Sequence, residues 1–463
     1  MELRVSLIES MTVRPCEETK RQVIDLSGLD RISPAILYTV FFYKASCTEQ
    51  QQLSDGSDHF ERAKMALRKV LVSWFPAAGR LRINEATGKL EIECNGKGVV
   101  MITAVADSKL EELGYLNEYK SCYEKLVPQL PSSVDISENP LVVIQITRFA
   151  CGGFAVGFGG SHSLFDGAGA FQFLVSWAHI SSGKDESQLI FPKHSREGLL
   201  NSLSPPNSTP VVGSIYEQSH IAAIQDLYGI PMQAIASDDS SWETALSSFS
   251  GLKSQGGLEL ITLPMKKEVV DKLKTLAIES GRLSRCSTFD VLCAHTWKAR
   301  VKSLGLHPNT NICLQFPVNS RKKLQPQFGT NFTGNAFVLA SVSCTAKDLI
   351  HEPLHYTVGR IQAAKDIVTD EYVKLYAKAL ESTDKFFPSM RELTIVTDWT
   401  KFPTHALDFG WGKVSGLSLL ATPVPETAYL LADIEEPGVV LVRMGIAAEL
   451  AVDLINNFTD IGY

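Results

Sequence analysis

The sequence predicts an α/β protein of two similar-sized domains in which helices flank mixed sheets, and three observations carry that prediction. At 463 residues the chain is longer than one hydrophobic core ordinarily serves, so two domains of roughly 200 residues each are expected. Short β-branched and aromatic runs alternate with segments of helical periodicity along the whole chain. Between Ser202 and Ser214 the stretch SLSPPNSTPVVGS is rich in Ser and Pro and has one apolar pair, Val211-Val212, which marks a crossover linker. The domains are therefore set at residues 1–200 and 215–463, with the linker at 201–214.

Each element follows from its own pattern. Arg4 to Ile8 and Ile36 to Tyr43 read as strands. Apolar Ala63, Ala66, Leu67, Val70, Leu71 and Trp74 recur at helical spacing, and Pro76 stops that helix. Strands follow at Leu90 to Cys94 and Val99 to Ala104, with Asn95-Gly96 as a turn signal. Leu141 to Phe149 and Gly153 to Phe158 read as a hairpin closed by Cys151-Gly152-Gly153. After Gly159-Gly160 comes SHSLFDGAG and then a helix whose buried face is Phe171, Leu174, Val175 and Ala178. His162 should thus sit on a loop between a strand and a helix. In the second half, Met265 to Gly281, Ser287 to Leu304 and Pro353 to Val368 read as helices. Ile312 to Val318, Ala336 to Ser341, Leu393 to Val396 and Val439 to Met444 read as strands. No repeat of solenoid period occurs.

Composition narrows the function. Hydrophobic residues make up 44% and charged residues 21% of the chain, the balance of a globular protein. The formal charge of -7 and the absence of a basic stripe argue against nucleic acid as a partner. Nine cysteines are scattered without a CxxC pair, so neither a disulfide framework nor a zinc site is expected. The N-terminus lacks the apolar core of a secretory signal, and no run approaches the ~18 apolar residues of a membrane span. A cytoplasmic protein is expected, with the sequons at Asn207, Asn331 and Asn457 left unused.

His162-Ser163-Leu164-Phe165-Asp166-Gly167 is the first constellation with chemistry in it, because a neutral imidazole is the best-matched general base near pH 7. Asp166 either orients the imidazole or turns away and braces the loop through an arginine. Gly167 and Gly169 give the turn its backbone freedom. No G-x-S-x-G elbow is present, which disfavours a serine nucleophile. The plainer alternative makes His162 an ordinary loop histidine and Asp166 a helix N-cap. A second constellation, Asp408-Phe409-Gly410-Trp411-Gly412, is either a turn around a core tryptophan or a loop that carries an indole N–H to a site.

HSLFDG and DFGWG together, in this order and separation, resemble the paired signatures of the plant BAHD acyltransferases. LVSWFPAAGRL (71–81), LEIECNGKGV (90–99), Cys151-Gly152-Gly153 and STFDVLCAHTWKAR (287–300) extend the resemblance over nearly the whole chain. It implies two domains of the coenzyme A-dependent acyltransferase type with a channel between them, acyl-CoA as co-substrate, and no cofactor or metal. By this likeness His162 matches the catalytic base and Asp166 its structural partner, paired with an arginine for which Arg300 is the candidate. Trp411 matches a residue that helps hold the tetrahedral oxyanion, and Gly167, Asp408, Gly410 and Gly412 support the two loops.

The same resemblance places Ser287 and Thr288 near the adenosine 3′-phosphate of coenzyme A, at a helix start where phosphates are favoured. Arg321, beside Lys322 and Lys323, is a candidate for further phosphate contact, although such a run is also what a solvated face looks like. Asn319 stands where the family usually carries Asp. Thr397 and Trp399 are assigned to the acceptor channel. The N-terminal segments are similar to the branch that uses hydroxycinnamoyl-CoA, and the region before Thr397-Asp398-Trp399 reads LESTDKFFPSMREL in place of the RGAHTF-like stretch of shikimate-type members, so their carboxylate clamp is not evident. The expected reaction is therefore transfer of a hydroxycinnamoyl group to the hydroxyl of a small or aliphatic acceptor, by a monomer. The alternatives are N-acylation of a polyamine, with Asp398 and Glu381 as ammonium partners, and a non-catalytic relative acting in fatty-acid elongation.

Overall fold

A computed structural model describes residues 3–31, 35–45, 57–130, 133, 135–197, 199, 232–234, 257–380, 386–388, 392–420 and 426–462. The chain divides into two compact units. The expected linker at 201–214 lies outside the described residues.

The first unit comprises Met1–Ser202 together with two later segments, Phe328–Ala336 and Phe402–Ala421. Its sheet is built from Val5–Val13 (β1), Ile36–Tyr43 (β2), Val99–Ala106 (β3), Val142–Phe149 (β4), Phe154–Ser161 (β5) and the late strand Gly416–Leu419. The spatial order is β1, β3, β4, β5, β2 and then Gly416–Leu419. Only β3 and β4 run parallel; the other pairs are antiparallel. β5 is buried along its whole length, as a near-continuous apolar run with small residues demands. Two helices, Ser57–Ser73 (α1) and Gly167–Ser181 (α2), pack on each other. Trp177 of α2 donates its indole N–H to the Ala63 carbonyl of α1 at 2.8 Å, so the large buried ring leaves no orphan donor. A smaller sheet is formed by Gln22–Asp25, Leu90–Cys94 and Arg80–Ile83.

The second unit comprises Leu203–Gln327, Phe337–Lys401 and Thr422–Tyr463. Its sheet is built from Leu258–Met265 (β6), Asn311–Asn319 (β7), Phe337–Thr345 (β8), Leu393–Asp398 (β9), Thr427–Ala432 (β10) and Val440–Ala447 (β11), in the order β6, β11, β10, β9, β7, β8. The helices Lys267–Ile278 (α3), Leu354–Ile367 (α5) and Ala451–Thr459 (α6) surround Thr288–Leu304 (α4). α4 begins at a reciprocal capping box between Ser287 and Asp290 and ends at Gly305 in the left-handed region.

One expectation is corrected here. The DFGWG segment was expected in the C-terminal domain, but Phe402–Ala421 folds with the first unit. The physical reason is the strand Gly416–Leu419, which pairs with β2 and draws the preceding loop with it.

Candidate active site

Residue 162 follows directly from β5. The strand ends at Ser161 opposite Ile36, and the His162 N–H continues the ladder by donating to the Ala35 carbonyl at 3.0 Å. The chain then turns sharply into α2. Asp166 is the N-cap of that helix: its Oδ1 accepts the Gly169 N–H at 3.0 Å and its Oδ2 accepts the Ala336 N–H at 3.2 Å. The carboxylate therefore braces the loop from both sides, as the N-cap alternative has it, and through backbone N–H groups in both of these bonds. A Cβ on Gly169 would lie 2.4 Å from the Thr333 carbonyl oxygen, and one on Gly167 would lie 2.5 Å from the Phe402 ring. Both glycines allow close approach to segments that arrive from far along the sequence.

Three further residues complete the setting, and sequence reasoning missed them. The Asn335 side-chain amide donates to the His162 carbonyl at 2.7 Å and to Asp30 Oδ1 at 3.0 Å. The Asn335 backbone N–H also donates to Asp30 Oδ1, at 2.9 Å. Asp30 in turn lies beside Arg196, which donates to the Leu164 carbonyl at 2.8 Å. Asn335 stands in FGTNFTGNA among other polar residues, so the sequence does not single it out; its burial is seen only in the fold, where it needs partners to be tolerated.

Burial pushes the His162 imidazole below its ordinary pKa, with Asp166, Asp30 and Asn335 pulling in the opposite direction. A charged imidazole is disfavoured where water is excluded, so the ring is neutral near pH 7 and able to accept a proton.

The DFGWG loop is elsewhere. Trp411 stacks on Phe154 with centroids 4.7 Å apart and meets Tyr43 edge-on at 5.6 Å. Phe154 begins β5 and pairs with Tyr43, whereas His162 follows the other end of the same strand. At about 3.3 Å per residue, the eight steps between them span about 26 Å. Trp411 is therefore corrected from oxyanion donor to anchor, since its indole belongs to an aromatic cluster at the opposite end of the sheet. Asp408 organises this loop by accepting the Gly410 N–H at 2.8 Å and the Gly412 N–H at 3.1 Å. Both glycines have positive φ, 92° and 96°, which a side chain would strain. The Tyr43 hydroxyl donates to the Leu407 carbonyl at 3.0 Å and the Ser181 hydroxyl to the Phe409 carbonyl at 3.2 Å.

Arg300 also departs from expectation. Its guanidinium donates to the Leu393 carbonyl at 2.7 Å and to Thr394 Oγ1 at 3.0 Å, tying α4 to β9 within the second unit. Burial lowers its pKa to about 10, opposed by Glu426 and Glu392. The arginine that reaches the histidine loop within the first unit is Arg196.

In the second unit, Ser287 caps α4 and Thr288 is its first residue. Ser287, but not Thr288, lines a cavity of about 420 Å³ together with Arg285, Cys286, Asp290, Gln362, Lys365 and Asp366. Lys365 pairs with Asp290 and sits over the Phe289 ring, 4.4 Å from its centroid. Arg321 is buried, contrary to its expected display to phosphates, and its backbone N–H donates to Asn319 Oδ1 at 3.0 Å; Lys322 and Lys323 are exposed. Thr397 on β9 lies opposite Tyr429 on β10, and the Trp399 backbone N–H donates to the Leu430 carbonyl at 2.8 Å. Asp398 accepts both the N–H and the hydroxyl of Thr400, so its carboxylate is engaged in a local turn. Glu381 lies outside the described residues.

Residues 3–444 match the family model described as the Transferase family. The chain is 36% identical to brassinosteroid-related acyltransferase 1 of Arabidopsis thaliana, covering 99% of each chain. It is 30% identical to omega-hydroxypalmitate O-feruloyl transferase of Arabidopsis thaliana, covering 96% of this chain and 91% of that one. Among solved structures, vinorine synthase has the same fold, with a TM-score of 0.71 at 17% identity over 97% of this chain and 96% of that chain. The two mixed-sheet units and these likenesses define the class, an acyl-CoA-dependent acyltransferase. Within that class, the chain belongs to the plant BAHD acyltransferase family.

Proposed function

We propose that the protein transfers a hydroxycinnamoyl group from its coenzyme A thioester to the hydroxyl of an aliphatic or otherwise apolar acceptor, with His162 as general base. The observation that carries this reading is the imidazole itself. It is neutral, partly buried at a strand-to-helix turn, and its backbone is held by Ala35, Asn335 and the Asp166 brace. His162 takes the proton of the acceptor hydroxyl as that oxygen attacks the thioester carbonyl. The tetrahedral adduct collapses by breaking the carbon–sulfur bond, and the imidazolium returns the proton to the departing thiolate. A thioester is already activated, so alignment, one base and exclusion of water suffice and the scheme calls for no metal or redox cofactor.

The donor assignment is supported by the likeness to a relative named as a feruloyl transferase acting on omega-hydroxypalmitate. An ester product is favoured over a polyamine amide by the likeness to a relative named as an O-feruloyl transferase. For coenzyme A, the cavity beside Ser287 offers Arg285, Lys365 and the N-terminus of α4 to a phosphate. A cytoplasmic setting fits the cysteines, which are free among the described residues. Among those residues no helix is long and apolar enough to cross a membrane.

The test is thiol release by the purified chain with p-coumaroyl-, feruloyl-, caffeoyl- and acetyl-CoA against long-chain alcohols, ω-hydroxy fatty acids, shikimate and spermidine. Acceptor-dependent release with an aromatic donor and an alcohol, abolished in His162→Ala, is the expected result. Release with spermidine alone, or undiminished release from His162→Ala, overturns it.

A further inference from the structure

The scheme above uses His162 and the residues that touch it, and leaves a buried ion pair without a task. Arg196 Nε lies 3.6 Å from Asp30 Oδ2, and the two side chains are 1% and 0% exposed. A buried pair is a weak source of stability, because desolvation offsets most of the attraction. Its value must lie in what the two charges hold in place.

Both members reach the histidine loop, by different routes. Arg196 Nη2 donates to the Leu164 carbonyl at 2.8 Å, inside HSLFDG. Nη1 donates to the His194 carbonyl at 2.5 Å. Asp30 accepts the backbone and side-chain N–H groups of Asn335, whose amide also donates to the His162 carbonyl. A Cβ on Gly334 would lie 2.7 Å from the guanidinium, so the late segment 328–336 is shaped around this arginine. The guanidinium thus joins four stretches of chain: residues 27–31, 162–169, 194–196 and 333–336. Only a planar fork with several donors can do this; an ammonium is a single point of contact.

We propose that Arg196 is a positioning residue for acyl transfer, its fork fixing the Leu164 carbonyl and its charge balancing Asp30, so that His162 is held in one place as a neutral base. This rests on the reading of His162 as the base. Removing the cation leaves Asp30 held by the hydrogen bonds of Ser27 and Asn335 but without the charge of Arg196 beside it, one hydrogen-bonded residue from the His162 carbonyl, and a nearby anion favours the imidazolium. Two other titratable groups lie beside these residues: burial, with a lesser contribution from Arg196, holds His194 down to about 4, and burial, opposed by Arg196, pushes Cys94 up to about 12, so peptide-resolved reading of His162 keeps its titration apart from theirs. Asp166, the remaining charge acting on His162, is unaltered by the substitution.

The experiment reads His162 itself. Diethyl pyrocarbonate acylates neutral imidazole, and the rate at His162, followed by peptide mass spectrometry across about pH 5 to 8, gives its titration in the intact chain. In Arg196→Met the inflection is expected to move up by at least about half a pH unit, and thiol release with p-coumaroyl-CoA and the acceptor mixture to fall about tenfold. A folded Arg196→Met with the wild-type inflection and wild-type release overturns the proposal. Should Arg196→Met not accumulate folded, Arg196→Lys carries the test. It keeps the cation and loses the fork, so the inflection should stay while release falls about tenfold; wild-type release from it overturns the proposal. Failure of the base reading is separately visible, as release that survives His162→Ala.

Discussion

Asn335 donates its side-chain amide to the backbone carbonyl of His162 across 2.7 Å, although the two residues are 173 positions apart in sequence. The bond fixes the histidine by its main chain. Asn335→Ala should lower thiol release about tenfold, through a base that is less well aligned. It should also cost about 1–3 kcal/mol of stability, because buried acceptors lose their donor. Kinetics and denaturant unfolding of the same preparation check both numbers.

The pH dependence of kcat/KM follows from the burial of His162. The base must be neutral to act, and burial lowers its pKa from the ordinary 6.5. The acidic limb of the profile should therefore inflect below 6.5, with activity rising as pH increases through it. An inflection above 6.5 would be inconsistent with this environment.

Stability should fall on acidification over a defined window. His194 and His295 are buried neutral, each with a pKa lowered to about 4, burial being the main cause. The unfolded chain takes up these protons near 6.5 and the folded chain does so only near 4. Stability is therefore full above 6.5 and is lost as pH falls between the two, by up to ~3 kcal/mol per histidine. Thermal melts between pH 7 and 4 measure the loss, and replacing His295 with Gln should flatten part of it.

Trp411 offers the sharpest separation of anchor from catalyst. Trp411→Ala should remove about 3–5 kcal/mol, the cost of emptying a large aromatic site. At low temperature the folded fraction should keep kcat within about threefold. An oxyanion donor would instead show a loss on the order of a hundredfold or more in kcat. Calorimetry and active-site titration of Trp411→Ala distinguish the two.

Lys365 tests the coenzyme A assignment. Lys365→Met removes a cation from the cavity beside Ser287, in the second unit. The expected result is a rise of about five- to tenfold in KM for acyl-CoA at unchanged kcat, the sign of lost uniform binding. An unchanged KM moves the phosphates elsewhere.

Local pattern made the histidine loop legible before any coordinates. The apolar run ending in Gly159-Gly160 is β5, the amphipathic stretch after Gly167 is α2, and Phe171, Leu174 and Ala178 are buried as their spacing implied. Ser287 as the start of α4 was legible too, because a Ser followed three residues later by Asp is a capping signal. What could not be read was convergence. Arg196 and Asn335 carry no local signature, since each serves a partner more than thirty residues away, and Asp30, which has the same Ser-to-Asp spacing with Ser27, carries nothing local that points it at Asn335. The same limit misplaced Trp411 and Arg300: motif order along a chain says nothing of which end of a sheet a loop reaches. Gly416–Leu419, four residues long, is too short to register as a strand without β2 beside it.

The first unit is closed by residues 402–421, and this bears on how the molecule is made. A ribosome that has released residue 202 has exposed the histidine loop but neither Asn335 nor the Trp411 cluster. Roughly two hundred further residues must emerge, about 10–40 s of synthesis, before the fold around His162 can shut. During that interval β2 presents an unpaired edge of the kind that invites aggregation. A gene fragment ending at the apparent domain boundary should therefore yield insoluble protein, and holdase chaperones should be most needed while the second half is still being translated.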